Sequence, residues 1–452
     1  MGCFIICATM STITCKFGGT SVATSDQIKK IASIIQSDEN RRFVVVSAPG
    51  KRFKEDQKVT DLFYLAAETA KKGVDASNIL SLIADRYEEI IKGLEIKFEI
   101  RSEIESMSIA LAEQNKDYAA SRGEFFNARI ISGFLGATFI DPAKNIFFGT
   151  ERRLDTEKTY KTLSNSLNSA KGICIIPGFY GVSNATGDII TFSRGGSDIT
   201  GAIVARAAES VVYENWTDVS GLLMADPRVV ENPKPIPEVS YKELRELSYM
   251  GAQVLHDEAI FPVRELGIPI HIKNTNEPLA EGTKIVMEAG VRDIPVVGIA
   301  GKDQFEAFFI HKALMNKEKG FGRKLLEIFE SHDVSFEHLP SGIDTVSVVC
   351  SNQEIGDKHD ILMQDIETVL KVDSVERIKD LSLIAVVGAG MAYHPGMAAT
   401  VFKAMSDKSI NIRLIDQGVS ELTIIIGVES KYLNHAIKAV YSAFVEQENN
   451  RA

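Results

Sequence analysis

The stretch from Thr12 to Val22 constrains the chain most. Thr12, Ile13, Thr14 and Cys15 form an alternating run that delivers Lys16 and Phe17 into Gly18, Gly19, Thr20 and Ser21. The pattern predicts a strand that ends in a glycine turn and opens a helix near Ser25. Adjacent glycines let the backbone approach an anion with no Cβ in the way, and Thr20 and Ser21 are placed to cap the helix. Backbone N–H groups at a helix start, with Lys16 beside them, suit a polyphosphate. An ordinary βα turn fits the same residues.

The next segments extend this start into a βαβ unit. Ile28, Ile31, Ile34 and Ile35 share one helical face, and Arg42 to Ser47 reads as a buried strand of continuous valine. Ser47, Ala48, Pro49 and Gly50 then form a second candidate site loop, since parallel strands end at functional loops. From Asp61 to about Gly136 the apolar spacing is helical almost throughout, and Ser121, Arg122, Gly123 and Glu124 open its last long helix. Alternation resumes with a strand near Ala137 to Ile140, a helix from Asp155 to Ala170 and a strand from Ile173 to Ile176. After a hairpin signal at Ala185 to Asp188 comes a second glycine pair, Arg194-Gly195-Gly196-Ser197-Asp198, where Ser197 or Asp198 can cap the helix that follows. Two such cradles suggest a single anionic ligand between them.

A chain of 452 residues exceeds one core, so two to four domains are expected. With 45% apolar and 25% charged residues it has a globular composition. The net charge of −11 argues against nucleic acid or an anionic membrane as partner, so an anionic substrate must be drawn by local Lys and Arg. Five cysteines, without a CxxC, indicate neither a disulfide framework nor a zinc site and fit a reducing, cytoplasmic setting. Met1 to Met10 reads as an extension ahead of the first strand. No GxxxxGK[ST] occurs, and the HRD and DFG motifs of protein kinases are absent. Beyond about Ile294, two rounds of strand, helix, strand, strand, helix follow one another, with Ser335 to Leu339 as one of the strands of the first.

Lys16-Phe17-Gly18-Gly19-Thr20-Ser21, the Ser121-x-Gly123-Glu124 element, Arg194 to Asp198 and the stretch from Trp216 to Arg228 together resemble the aspartokinases, in that family's order and over about Thr12 to Phe444. The resemblance implies an α/β fold: an amino-acid-kinase three-layer αβα sandwich over 12–290, with a helical insertion at about 61–136. Two ferredoxin-like ACT units would follow, at 294–381 and 382–445, the second possibly nested in the first. It implies transfer of the ATP γ-phosphoryl to the β-carboxylate of aspartate, with Mg²⁺ carried by the phosphates and no metal site of the chain's own. By the same resemblance Lys16 and Asp198 are catalytic, and Ser47, Thr60, Glu124 and Arg194 bind aspartate, Glu124 at the α-ammonium and Arg194 at the α-carboxylate. Lys16, Gly18, Gly19, Thr217, Asp218 and Arg228 would hold the nucleotide. Leu223 stands where the family usually has tyrosine, and Asp257 replaces a usual proline after His256, which reads as structural. An effector amino acid, lysine or threonine, would meet Met315, Phe321, Ser335, Phe336 and Glu337, with Asp416 and Gln417 from the second unit, in a homodimer or larger homo-oligomer. Another small-acid kinase and a catalytically inactive amino-acid sensor are the competing readings.

Overall fold

The computed structural model describes residues 11–193, 195–251, 255, 257–290 and 294–449. The expected extension at Met1 to Met10 lies outside them. Two compact units emerge, one from Met1–Leu222, Pro237–Tyr241 and Val254–Ala289, the other from Leu223–Ile236, Lys242–Gln253 and Gly290–Ala452.

In the first unit β1 (Ile13–Phe17), α1 (Ser25–Gln36) and β2 (Arg41–Val46) form the expected βαβ start. The helical stretch holds α2 (Val59–Lys71), α3 (Ser77–Gly93), the short α4 (Arg101–Glu105) and α5 (Ser108–Glu113), and α6 (Lys116–Leu135). After β3 (Thr138–Phe139) and β4 (Phe147–Phe148) come α7 (Thr156–Ser169), β5 (Cys174–Pro177), the hairpin β6 (Tyr180–Ser183) and β7 (Ile189–Thr191), α8 (Gly196–Ala207) and β8 (Val212–Thr217). The two-residue β9 (Leu222–Leu223) ends the first of its segments at Leu222; β10 (Pro235–Ile236) and, from Lys242 on, α9 (Tyr241–Tyr249) belong to the second unit, and β11 (Glu238–Ser240), α10 (Ile260–Arg264), β12 (Ile270–Asn274) and β13 (Thr283–Val286) to the first.

Among the described residues eight strands make one sheet in the order β11-β13-β12-β8-β1-β2-β5-β3. β1 lies between β2 and β8, parallel to both. Covered on both faces, such a strand can hide its whole length, as the fully buried Val44, Val45 and Val46 of β2 also do. Side chains alternate across the sheet. Lys16 and Asn215, register partners, share one face, while Phe17 and Trp216 stack on the other with ring centroids 5.9 Å apart.

That second face contains a buried ion pair. Glu214 receives Arg41 through two bonds of 2.8 and 3.1 Å, and also the Trp216 indole N–H at 2.9 Å and the Cys15 thiol at 3.3 Å. Burial, followed by the Glu214 charge, pushes the Cys15 thiol well above its ordinary value.

The second unit continues with β14 (Gly298–His311), α11 (Phe321–Ser331), β15 (Thr345–Ser351), α12 (Asn352–Ile355), α13 (His359–Leu370) and β16 (Ser374–Val387). α14 (Met397–Asp407), β17 (Leu414–Gln417), β18 (Thr423–Glu429) and α15 (Leu433–Asn449) complete it. Its sheet runs β15-β14-β16-β18-β17. The two rounds share this sheet because β14 and β16 are long enough to serve both. Phe305 to His311 pair with β15, Leu381 to Val387 pair with β18, and the β14–β16 register shifts between Lys302 and Ala307. Gly298 to Lys302 thus pair with Leu383 to Val387, beside β18, on the far side of the first round. The strand expected at Ser335 to Leu339 is reduced to single bridges, His338 to Val349 and Ser341 to Val346. Pro340 has no N–H to donate there, which interrupts a regular ladder. Among the described residues no helix is long and apolar enough to cross a membrane.

Replacing Arg41 by Met should cost about 3–5 kcal/mol in urea unfolding, because it strands the Glu214 charge in the core. The double change with Glu214→Leu should recover most of that loss. A single-variant cost below about 1 kcal/mol would mean that water reaches Glu214.

Candidate active site

The Lys16 ammonium ends on the face that α8 covers. It pairs with Asp198 at 2.6 Å, and Asn215 donates to the same carboxylate oxygen at 3.0 Å. Both charged side chains are nearly buried, at 10% and 16% exposure. The Tyr213 hydroxyl, bonded to the Asp198 carbonyl at 3.0 Å, holds the first turn of α8 to β8. The helix cap differs from the sequence expectation. Gly195 occupies the N-cap with no side-chain bond, and the Asp198 carboxylate is spent on Lys16 and Asn215 instead.

The first glycine loop packs on the second loop backbone to backbone. Gly50 donates to the Gly19 carbonyl at 2.8 Å, and a Cβ on Gly50 would lie 2.6 Å from the Gly19 carbonyl carbon, so only glycine fits. The Gly18 N–H is taken by the Trp216 carbonyl at 3.1 Å, which removes it as a phosphate donor. What Gly18 leaves is room, since a Cβ there would sit 3.5 Å from Lys16 Nζ. Capping of α1 also departs from expectation: Thr24 accepts from the Gln27 N–H at 3.3 Å, whereas Thr20 and Ser21 form a 3₁₀ turn and the Ser21 hydroxyl bonds Thr275 at 2.8 Å. Thr275 in turn donates its N–H to the Thr217 carbonyl at 2.8 Å, and the Thr217 hydroxyl donates to Asp218 at 3.2 Å. Thr217 and Asp218 therefore stand beside the Lys16 loop. Arg228 belongs to the other unit, where its exposed guanidinium holds Asp226. Leu223 lies in that unit as well.

Helix α6 closes the other side. Gly123 is pressed against the Ser47 loop and the start of α2, so that a Cβ there would fall 2.8 Å from the Ala48 Cβ and 3.5 Å from the Thr60 hydroxyl. Asn127 donates to the Ser47 carbonyl at 2.7 Å. Ser47, Thr60 and Glu124 are thus brought together. Glu124 is buried, and burial raises its carboxyl to about 8 against the lowering pull of the Ala48 N–H and of Arg122. Among the described residues its Oε2 has no hydrogen-bond partner, and neither has Asn127 Oδ1. A buried acid with a free oxygen has an unmet capacity to take a hydrogen bond. Arg194 and His256 lie outside the described residues.

Asn215 and Asn127 escaped the sequence reading. A polar residue in an otherwise buried strand and one spaced three after Glu124 on a helix were the available signals.

In the second unit Met315 and Phe321 pack in the core with Leu325, Phe329 and Val334. Ser335 and Phe336 are exposed beyond that core. Glu337 accepts from the Tyr249 hydroxyl, and Asp416 bonds His338 at 2.7 Å, with Gln417 exposed next to it. The effector candidates accordingly divide between core and surface. Lys312 and Lys324 hold Glu318 between them at 2.6 and 2.9 Å, which draws its carboxyl down to about 2.

The family described as the amino acid kinase family matches residues 11–274, and an ACT domain matches 384–444. The chain is 39% identical to aspartokinase 3 of Bacillus subtilis, over 95% of this chain and 98% of that one. The solved aspartate kinase of Clostridium acetobutylicum is 47% identical with a TM-score of 0.88, covering 96% of this chain and all of that one. Aspartokinase III of Escherichia coli, solved with aspartate and ADP, is 26% identical with a TM-score of 0.74, over 96% of this chain and 100% of that one. The chain belongs to the amino acid kinase family and, within it, to the aspartokinases. It is therefore an enzyme of the phosphotransferase class.

The raised Glu124 value fixes a pH dependence. Its folded pKa lies above the unfolded one, so the stability it contributes is complete below about 4.3 and is lost as pH rises toward about 8. Glu124→Gln mimics the protonated acid. Urea unfolding should therefore find wild type losing stability relative to this variant from about pH 5 to about pH 8. A pH-independent difference would mean that Glu124 ionises as in water.

Proposed function

We propose that this chain phosphorylates the β-carboxylate of L-aspartate with ATP, giving 4-phospho-L-aspartate, the first step toward lysine, threonine and methionine. The observation that carries the reading is Glu124. It is a buried carboxyl with an unpaired oxygen, on a helix packed against the Ser47 loop, which itself packs on the Lys16 loop. Such a site offers one end for an ammonium and the other for phosphate.

In this reading Lys16 leaves Asp198 to neutralise the transferring phosphoryl group, and Asp198 with Asn215 keeps the lysine aimed until the nucleotide arrives. The N–H groups of Gly19 and Thr20, which meet no acceptor among the described residues, face the phosphates. Thr217 and Asp218 bound the ribose side. Glu124, ionising as it binds, takes the α-ammonium, and Arg194 takes the α-carboxylate in bidentate fashion. Ser47 and Thr60 line the same pocket. Phosphoryl transfer then needs in-line positioning and charge neutralisation, without a covalent enzyme intermediate. Mg²⁺ carried by the ATP phosphates would add further neutralisation of the transferring charge.

Residues 12–290 form the catalytic domain, 294–381 and 382–445 the two regulatory units. E. coli aspartokinase III has also been solved with lysine and aspartate, as a T-state. By that likeness lysine is the favoured effector here and threonine the alternative, acting on a cytoplasmic homo-oligomer whose two states differ in effector affinity.

Hydroxylamine trapping with ATP and aspartate should yield aspartyl hydroxamate, and less of it once lysine is added. Lys16→Met should lower turnover by roughly 10³-fold or more with the fold retained by circular dichroism. Near-wild-type rates in that variant would end the assignment of Lys16, and product from another acid would overturn the substrate.

A further inference from the structure

Asp117 lies two turns before Glu124 on α6 and is 4% exposed. Seven residues apart, the two carboxyls share one helix face. Unlike Glu124, Asp117 is fully engaged. Its Oδ1 accepts from the Thr191 hydroxyl at 3.0 Å, and its Oδ2 pairs with Arg152 at 2.5 Å. The same Arg152 nitrogen donates to the Thr191 carbonyl at 3.2 Å. Three segments, the first turn of α6, the loop after β4 and the end of β7, are tied at one point.

Two further observations show that the tie is directional. Asn115, the N-cap of α6, donates to the Ile189 carbonyl at 3.0 Å, so β7 is held to α6 at its first residue as well as its last. Glu151 and Arg152 are successive non-glycine residues in the left-handed region, at φ 53° and 58°. Such residues are strained, and the strain persists only where the surroundings hold it. The loop accepts that strain while presenting Arg152 to Asp117. An ion pair whose arginine is half exposed is a poor way to gain stability, but the two oxygens of the buried carboxylate orient two partners at once.

We propose that Asp117, Arg152 and Thr191 form a positioning clamp that sets how the end of β7 sits against α6, the helix that carries Glu124, and thereby tunes the site for the ammonium on the α-carbon of the acceptor. The clamp touches no reacting atom. It rests on the reading of Glu124 as the group that takes the acceptor's ammonium.

Three variants test it. Thr191→Val keeps shape and loses the hydroxyl; Arg152→Lys keeps charge and loses the planar fork; Asp117→Asn keeps an acceptor for Thr191 and loses the charge. KM for aspartate, KM for ATP, kcat and Tm are measured for each. Thr191→Val and Arg152→Lys should raise KM for aspartate about tenfold, with KM for ATP and kcat within about twofold and Tm within about 3 °C. Asp117→Asn should fall between them and wild type. Unchanged aspartate KM in all three, or a parallel rise in both KM values with a lowered Tm, overturns the clamp. Should Thr191→Val fail to fold, Arg152→Lys decides, because that side chain is 55% exposed. A wild type that turns over a different amino acid instead of aspartate would sink the substrate assignment alone, and the clamp would be judged on the KM for that acid.

Discussion

A charged lysine at the end of a central strand must be compensated. Stripping an ammonium of water costs several kcal/mol even after relaxation, and Lys16, at 10% exposure, offsets that cost by pairing with Asp198 at 2.6 Å. Much of the first unit follows from that pairing. Asp198 reaches the lysine because α8 starts at Gly196 and is fastened to β8 by the Tyr213 hydroxyl, and Asn215 from β8 fixes the carboxylate's orientation. An anion arriving at Lys16 competes with Asp198 for the same ammonium. The pair is a lock on the resting site and also the reason the lysine is aimed before any ligand binds.

The same balance recurs across the pocket. Lys16 is matched by Asp198 and Arg152 by Asp117, and Glu124, whose Oε2 has no hydrogen-bond partner among the described residues, is kept neutral by burial up to about 8. The resting site thus holds these charges in pairs and keeps Glu124 in protonated form. Ligands that bring both an ammonium and phosphate charge can be accepted by exchange, each new charge taking the partner of an old one. This explains how a chain with net charge −11 can serve polyanions: the global field is weak beside contacts at 2.5–2.6 Å.

The succession of strands and helices along the first unit and the two glycine turns were legible in the sequence, because each is written in local periodicity and in paired glycines, whereas the order of the strands in the sheet was not. The caps were not. Ser21 and Asp198 are both good capping types, yet tertiary partners claimed them: Thr275 for Ser21, and Lys16 with Asn215 for Asp198. Asn127, Asp117 and Arg152 were invisible for a related reason, since their partners lie 35 to 80 residues away in the chain. Gly50 reads as a turn residue, while its role is to let Gly19 approach. In the second unit local patterns gave both rounds, but the length of β14 and β16 that fuses them into one sheet has no local signature.

The two rounds also differ in chemistry where they look alike in pattern. Both α11 and α14 follow a glycine in the left-handed region, Gly320 at φ 81° and Gly396 at φ 95°, so the same turn opens each helix. Ahead of α11, Glu318 is gripped by Lys312 and Lys324; ahead of α14, the His394 ring bonds only the Gly390 carbonyl, at 2.8 Å. The first turn therefore presents exchangeable ion pairs where the second presents a histidine–carbonyl bond. With Met315 and Phe321 committed to the hydrophobic core, the exchangeable charge of the first round sits at the rim of that core, and any displacement of those two side chains requires the core to repack.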